Sequence, residues 1–335
     1  MLLSIIIPYY NSDAWIGAML DSLLDQDLNK DDYEIIVIDD GSSESPRTLL
    51  DYSSVYPNIH YYREDNAGLS QARNYGLRLS KGKWVFFCDS DDYIQRQALG
   101  KLIRVAEEKN LELLLFDYLV IKSGESAMSF RRNFTSVSEP QTMMEHLATY
   151  KSHPMSFGFG ACRYIVQKDV LTKNSISFED LAYVEDRIFQ LRLIPVIQRM
   201  AHIDVELYFY IQRDSSILHA KKKRRYTQYA PWLWYYMEEL SKLIRLPSIP
   251  DEVKHVLNCW RDTGAFSLLI NTLKYCPVSV SREYINKVST SEAYPIEIRG
   301  PQYVRLTRKC MNHPTLWIVL CKCFSFVPYR IRLLL

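Results

Sequence analysis

Strand-like and helix-like patterns alternate along the first 120 residues, and this alternation constrains the fold more than any other sequence feature. Short apolar runs are typical of strands that are buried on both faces, and the segments between them space their apolar residues as helices do. The runs lie at 2–7, 33–38, 59–62, 84–88 and 111–120, and a later strand is predicted at 204–211. Helices are predicted at 69–79, 99–109 and 185–193, with Ser12 or Asp13 able to cap the first helix and the turn at 39–43 the second. Because successive strand–helix–strand units form parallel sheets, the sequence predicts an α/β fold with a mostly parallel sheet and helices on both faces.

Polar residues follow three of these runs, at the point where each run ends. The clusters occupy positions 8–11, 39–42 and 89–92. In an open α/β sheet, ligands bind beyond the carboxyl ends of the strands. We therefore expect the three clusters to meet at one edge of the sheet and to form a binding site there.

The cluster with the clearest chemistry is Asp89-Ser90-Asp91-Asp92. Carboxylates crowded at the end of a buried strand repel one another, and a divalent cation that bridges to phosphate oxygens relieves this repulsion. The interval between Asp89 and Asp91 lets one carboxylate reach a sugar hydroxyl while the other holds the metal. The alternative is a solvated acidic turn that caps the next helix. The apolar strand before the cluster favours the metal interpretation.

Two further segments are compatible with a nucleotide. Asp39 can accept hydrogen bonds from a base or a ribose, and Gly41 permits a tight turn whose amides face phosphate. Arg73 lies on a predicted helix between Gly68 and Gly76, where it can pair with a diphosphate or with the acidic cluster. Taken singly, an ordinary capping turn and an ordinary surface arginine explain the same residues.

Together these segments resemble the family 2 glycosyltransferases with the GT-A fold, in order and in spacing, from residue 2 to about residue 216. The resemblance is carried by the opening at 4–11, the Asn-x-Gly…Ala-Arg-Asn-x-Gly stretch at 66–76 and the Asp-x-Asp motif at 89–91. It implies a nucleotide-sugar site in which Asp39 contacts uracil and Asp89 contacts ribose. The residues expected to bind the donor are Pro8, Tyr10, Asp39, Asn66, Gly68, Arg73, Asp89 and Arg213.

The same resemblance implies a metal and a general base. Mg²⁺ or Mn²⁺ is expected on Asp91 and Asp89, with Asp92 supporting the pair. The Glu185-Asp186 pair matches the family's acidic pair in the second half of the domain. An acceptor hydroxyl must lose its proton as it attacks, so Asp186 is the expected base and Glu185 positions the acceptor or the base. Without the resemblance, an acidic helix N-terminus would explain the pair.

The end of the chain differs from its beginning in charge and pattern. From 215 to 335 there are 19 Lys and Arg against 8 Asp and Glu, so this part carries +11, whereas the whole chain carries +2 and residues 1–214 therefore carry −9. We predict a GT-A catalytic domain at 1–214, with a nucleotide-sugar half at about 1–120 and an acceptor half at about 121–214. A basic, aromatic helical extension follows at 215–335.

The charge distribution also bears on partners. Clustered Lys and Arg beside Trp and Tyr suit contact with an anionic membrane, although a solvated charge run explains them equally well. The acidic front half and the lack of a known binding motif argue against nucleic acid. Seven cysteines without a framework spacing, no signal-peptide pattern and no run of 18 apolar residues favour a cytoplasmic protein, peripheral to the inner face of the membrane.

The expected activity is that of a metal-dependent, inverting, hexosyl-type glycosyltransferase of family 2. It would move a sugar from a nucleotide sugar, expected to be a UDP-sugar, to a saccharide or lipid-linked saccharide acceptor. The family resemblance implies bacterial capsule, O-antigen or exopolysaccharide synthesis. The alternatives are a degenerate transferase-like scaffold and a sugar-phosphate nucleotidyltransferase, which would need a Gly-rich basic loop after the first strand. An NAD-dependent oxidoreductase is excluded by the lack of Gly-x-Gly-x-x-Gly after a strand.

Overall fold

The computed structural model describes residues 1–122, 136–158, 160–181, 183–212, 222–297, 309, 311–317 and 319. The chain divides into two compact units. The first unit comprises Met1–Met143, Phe159–Leu181 and Glu185–Asp214. The second unit comprises Met144–Gly158, Ala182–Val184 and Ser215–Leu335.

An eight-stranded sheet forms the centre of the described part of the first unit. Its strands are β1 Leu3–Tyr9, β2 Tyr33–Asp40, β3 Ile59–Glu64, β4 Trp84–Phe87, β5 Tyr93–Ile94, β6 Leu113–Lys122, β7 Tyr164–Gln167 and β8 Met200–Gln212. The strand order is β3-β2-β1-β4-β7-β6-β8-β5. Strands β3, β2, β1 and β4 run parallel, as do β6 and β8, whereas β7 is antiparallel to β4 and β6, and β5 to β8. The α/β prediction is confirmed, and the sheet gains the antiparallel β7 and β5, which the sequence patterns did not predict.

Helices connect the strands of the first unit and make up most of the described part of the second unit. In chain order they are α1 Asp13–Leu24, α2 Arg47–Val55, α3 Leu69–Leu79, α4 Leu99–Glu108, α5 Met143–Ala148, α6 Lys168–Lys173, α7 Glu185–Leu193, α8 Lys222–Ile244, α9 Asp251–Tyr275 and α10 Val278–Ser289. The predicted helix at 69–79 is confirmed to the residue. The predicted helix at 99–109 ends one residue earlier than expected.

Helices cover both faces of the sheet because successive side chains of a strand point to opposite sides. Ile35 of β2 packs in the main core with Leu20 of α1 and Leu102 of α4. The neighbouring Ile36 packs on the other side with Ala72 of α3. The sheet is therefore a middle layer, and α3 lies on the face opposite α1 and α4.

A glycine allows α3 to lie directly on β1. A Cβ atom at Gly76 would stand 2.4 Å from Cγ2 of Ile6, which is closer than any real contact. Gly76 follows Arg73 by three residues, about one helical turn. The close approach thus fixes the helix turn that carries Arg73, and this constraint explains why glycine is needed there.

Two strands extend further than their sequence patterns predicted. β1 does not end at Pro8 but continues to Tyr9, whose register partner is Asp39. Proline lacks only the N–H group, and its φ angle is compatible with extended backbone. β2 likewise continues through Asp39 and Asp40, so these carboxylates belong to the strand rather than to a turn.

The predicted helix caps are wrong in detail. Ser12 precedes α1, but its hydroxyl donates to the carbonyl oxygen of Tyr10 rather than accepting from the helix. The turn at 39–43 does not cap α2, which begins at Arg47 after Pro46 without a side-chain cap. The serines of that turn instead bond Asn11 and Asp39.

The second unit is helical where it is described. α8 and α9 pack closely, since a Cβ at Gly264 would lie 3.2 Å from Cγ of Met237. Trp260 of α9 donates through Nε1 to the carbonyl oxygen of Pro154 at 2.8 Å, and its ring lies 5.7 Å from that of Phe157. In the described part of the chain, no helix combines the length and the apolar character that a membrane span requires.

Candidate functional site

The loops after β1 and β2 are tied together at the carboxyl edge of the sheet. The backbone N–H of Asn11 donates to Oγ of Ser42 at 2.9 Å. The side-chain Oδ1 of Asn11 accepts from the backbone of Ser43 at 3.0 Å and of Glu44 at 3.2 Å. Asn11 adopts a φ of 48°, a conformation that asparagine tolerates better than most residues. The first two polar clusters therefore meet, as the sequence predicted.

Asp39 is fully buried, and both of its carboxylate oxygens are bonded by the chain itself. Oδ1 accepts from the backbone N–H of Ser42 at 2.8 Å. Oδ2 accepts from the hydroxyl of Tyr61 at 2.9 Å and from Nη1 of Arg63 at 3.0 Å. Arg63 also donates through Nη2 to the carbonyl oxygen of Ser42 at 2.7 Å. The carboxylate expected to meet a base is thus enclosed by residues of β3 and by the loop after β2.

Asp40 organises the loop that leads into α3. Its carboxylate accepts from the backbone N–H of Ala67 at 2.6 Å and of Gly68 at 3.0 Å. The side-chain Nδ2 of Asn66 donates to the carbonyl oxygen of Asp40 at 2.9 Å. Gly68 has a φ of 92°, which disfavours a side chain. Asn66 and Gly68, expected to contact the donor, therefore also hold the shape of this loop.

The other residues expected at the donor site differ in exposure. Pro8 is buried within β1, so its contribution is to the shape of the strand end. Tyr10, which follows β1, has 52% of its surface exposed. Arg213 lies outside the described residues.

Arg73 is buried between two carboxylates that come from distant parts of the chain. Its Nη1 donates to Oδ1 of Asp186 at 2.8 Å, and its Nη2 donates to Oδ1 of Asp89 at 2.9 Å. Its side chain is 3% exposed, and the guanidinium lies 5.1 Å from the ring centre of Phe178. Burial lowers the pKa of Arg73, but the charges of Asp186 and Asp89 outweigh it, and the pKa is raised overall. This guanidinium therefore stays charged and joins the end of β4 to the start of α7.

Asp92 supports this cluster from beneath. It is 1% exposed, and it accepts from the hydroxyl of Tyr208 at 2.8 Å and from the backbone N–H of Ile211 at 2.8 Å. The same hydroxyl accepts from the backbone N–H of Asp89 at 2.9 Å. Burial, and then the charges of Asp89 and Asp91, raise the pKa of Asp92 to about 8. Asp89 and Asp91 are both partly exposed, so they are the accessible carboxylates of the motif.

Glu185 and Asp186 stand at the beginning of α7, where the sequence predicted a helix. Burial, and then the charge of Asp186, raise the pKa of Glu185 to about 7. Its Oε2 is buried and has no hydrogen-bond partner among the described residues. Burial raises the pKa of Asp186 while Arg73 lowers it, with a net increase. The pair thus combines a carboxylate anchored by arginine with a neighbouring carboxyl group whose pKa is raised chiefly by burial.

Several residues at this edge were not identified from the sequence. Tyr208 lies in a predicted strand, but no sequence pattern marks its hydroxyl as a bridge between Asp89 and Asp92. The register of β2 and β3, which pairs Asp39 with Arg63, could have suggested that contact. The hydroxyl of Tyr164 is buried without a partner among the described residues, and nothing in the sequence indicated it.

The family model described as glycosyl transferase family 2 matches residues 4–171. The uncharacterized glycosyltransferase EpsJ of Bacillus subtilis is 29% identical over 64% of this chain and 62% of its own length. The poly(ribitol-phosphate) beta-glucosyltransferase of Bacillus spizizenii is 27% identical over 64% of this chain and 33% of its own length. The chain thus spans less than two thirds of these relatives.

Solved structures agree with the fold. The crystal structure of Staphylococcus aureus TarS 1–349 in complex with UDP-GlcNAc matches with a TM-score of 0.63 and 19% identity, over 96% of this chain and 89% of that one. At this identity the match shows a shared fold, and it confirms the predicted GT-A architecture.

Proposed function

The chain belongs to glycosyl transferase family 2, and from this premise we propose that it transfers a sugar from a UDP-sugar to an acceptor hydroxyl with inversion. The observation that carries the proposal is the Arg73 bridge. One buried guanidinium binds Asp89, expected on the donor side, and Asp186, expected on the acceptor side. The carboxylate expected to bind the donor and the carboxylate expected to act on the acceptor therefore belong to one cluster.

The spacing of the strands supports a nucleotide donor. Neighbouring strands lie about 4.8 Å apart, and β2 is two strands from β4, so their ends are separated by about 10 Å. A nucleoside with its ribose near Asp89 would place its base near the end of β2, where Asp39 lies. UDP is the nucleotide we propose, because the TarS structure of the same fold was solved with UDP-GlcNAc.

The exposed carboxylates suit a divalent cation. Hard cations prefer oxygen ligands, and Mg²⁺ is commonly held by one or two carboxylates together with substrate phosphates and waters. Asp91 and the Oδ2 atom of Asp89 fit this pattern, since Arg73 bonds the other oxygen of Asp89. The described residues contain no group of three or more His, Cys, Asp or Glu side chains that could hold a metal unaided. Mg²⁺ or Mn²⁺ bound here would offset charge on the leaving diphosphate.

Asp186 is the proposed base. A hydroxyl that attacks the anomeric carbon must approach from the side opposite the departing diphosphate, and this direct displacement inverts the configuration. The bond from Arg73 fixes Oδ1 of Asp186 and stabilises its charged form. The unpartnered Oε2 of Glu185 is suited to orient the acceptor through a hydrogen bond.

For the acceptor, we propose a saccharide or lipid-linked saccharide of a bacterial cell-surface polysaccharide. The proposal is supported by the relatives of the chain, which include a poly(ribitol-phosphate) beta-glucosyltransferase and the minor teichoic acid biosynthesis protein GgaA of Bacillus subtilis. The excess of Lys and Arg after residue 215 supports contact with the anionic inner face of a membrane.

A donor screen tests the proposal. UDP-, GDP- and dTDP-sugars are incubated with the full chain and Mn²⁺, and release of the nucleoside diphosphate is scored. Release from a UDP-sugar is the expected result, and a chain that neither binds UDP nor turns over any donor would refute the assignment. Asp91→Ala should abolish turnover and weaken UDP binding in Mn²⁺ while the fold persists. Full turnover in that variant would refute the metal site, with the exposed Asp169→Ala as the matched control.

A further inference from the structure

Arg63 is partly exposed at the carboxyl edge of the sheet, and some of its N–H donors are not used in bonds to the chain. Its bonds to Asp39 and to the carbonyl oxygen of Ser42 use two of the five N–H groups of a guanidinium. Its side chain is 49% exposed, whereas that of Asp39 is 0% exposed. A molecule that approaches this end of the sheet therefore meets the guanidinium before it can meet the carboxylate.

In the sheet, Arg63 lies beside the place proposed for the nucleobase of the donor. In the parallel register of β2 and β3, Arg63 is the direct partner of Asp39. The end of β3 lies three strands from that of β4, or about 14 Å, beyond the about 10 Å to β2. The guanidinium spans the ends of β2 and β3, since it reaches from its own strand to the loop at Ser42.

The chemistry of a guanidinium discriminates between bases. It offers N–H donors only and accepts no hydrogen bond, so it favours a ring carbonyl oxygen and disfavours an exocyclic amino group. Uracil and cytosine are pyrimidines of the same size, so size does not distinguish them. Position 4 of the ring carries a carbonyl oxygen in uracil and an amino group in cytosine. Asp39 also anchors the guanidinium, so little side-chain entropy remains to be lost when a base binds.

We propose that Arg63 is a specificity-determining residue that contacts the nucleobase of the donor. It selects a pyrimidine with a carbonyl oxygen at position 4, as in uracil, over one with an amino group there, as in cytosine. This inference rests on the proposed function, and it adds a selecting group that the resemblance did not include. In it, Asp39 positions Arg63, and Arg63 supplies the outward contact to the base.

The test measures binding of UDP and CDP by calorimetry in Mn²⁺, with the full chain and its Arg63→Ala and Arg63→Lys variants. The wild type should prefer UDP, and Arg63→Ala should reduce the UDP/CDP affinity ratio about tenfold, the loss typical of one charge-assisted hydrogen bond. Arg63→Lys keeps a positive charge for Asp39 but cannot span Asp39, Ser42 and a base at once, so the ratio should fall part of the way. Thermal unfolding shows which variants are folded. If Arg63→Ala does not fold, the ratio measured with Arg63→Lys tests the inference.

Arg96→Ala is the matched control. Arg96 is 48% exposed and pairs with Asp25 at 3.1 Å, so it resembles Arg63 in exposure and pairing but lies in the segment that follows β5. Its removal should leave the UDP/CDP ratio unchanged. A ratio that stays at the wild-type value in folded Arg63 variants, or that falls equally in Arg96→Ala, would overturn the inference alone. A wild type that binds neither nucleotide would overturn the proposed function as well.

Discussion

Two arginine–carboxylate clusters lie at the same edge of the sheet, and they differ in what surrounds the arginine. In the inner cluster, Arg73 is 3% exposed and binds Asp89 and Asp186. In the outer cluster, Arg63 is 49% exposed and binds Asp39. A buried guanidinium between two carboxylates cannot leave without stranding their charges, so the inner cluster holds a fixed geometry. The exposed guanidinium keeps donors for a ligand, so the outer cluster is suited to recognition.

The largest expected effect concerns Asp186, the proposed general base, which belongs to the inner cluster. Asp186→Asn keeps an oxygen for Arg73 but removes the proton acceptor, so kcat should fall by about 10²- to 10⁴-fold, the usual contribution of a general base. The dissociation constant for UDP should stay close to that of the wild type. Steady-state release of nucleoside diphosphate and calorimetry measure the two quantities. A variant that keeps its kcat, or loses as little as the exposed Asp169→Asn control, would remove Asp186 from the chemistry.

The next effect compares the two arginines through stability. Arg73→Met removes the charge that bridges Asp89 and Asp186 and leaves both carboxylates without this partner, so the free energy of unfolding should fall by about 3 kcal/mol. Chemical denaturation measures it. Arg63→Met should cost less, because the backbone N–H of Ser42 and the hydroxyl of Tyr61 still bond the buried carboxylate of Asp39. Equal losses for the two variants would contradict the distinction between the clusters.

The inner cluster also shows what sequence reasoning could and could not predict. Asp89 was identified because it follows an apolar strand, whereas Asp186 was identified through the family resemblance, since a helix start alone explains an acidic pair. The sequence allowed Arg73 to pair with the acidic cluster that contains Asp89, and the structure shows this bond. Its second partner could not be predicted from local patterns, since Asp186 lies 113 residues away and the contact depends on how α3 and α7 pack. The family resemblance supplied roles for the residues, but it did not supply this contact.

The outer cluster shows the same limit at shorter range. β1, β2 and β4 were predictable because strands buried on both faces give continuous apolar runs. The partners of Asp39 depend on the register between β2 and β3, which the apolar pattern leaves open. Antiparallel β7 was missed because its apolar run covers only residues 164–166, whereas the run of β4 covers 84–88.

A smaller effect is expected beneath the inner cluster. Tyr208→Phe removes the hydroxyl that bonds both the backbone N–H of Asp89 and Oδ2 of Asp92. Two buried groups then lack a partner, so the free energy of unfolding should fall by about 1–3 kcal/mol. Tyr118→Phe on β6 is the control, since Tyr118 is 42% exposed and should lose less than about 0.5 kcal/mol. A Tyr208 variant as stable as this control would show that the bridge is not needed to hold Asp89.

The last expected effect is the pH dependence that Glu185 adds to the inner cluster. Its pKa is raised to about 7 from an ordinary 4.5, chiefly by burial, so the folded chain binds this proton more tightly than the unfolded chain does. Stability from this group is therefore complete below about pH 4.5 and is lost as the pH rises to about 7. Glu185→Gln cannot titrate, so its free energy of unfolding should fall less steeply than that of the wild type across this interval. Denaturation at several pH values measures the slopes, with the exposed Glu283→Gln as control. Parallel slopes for wild type and Glu185→Gln would mean that Glu185 is ionised in the folded state, and Asp186 would then stand beside a second negative charge rather than beside a bound proton.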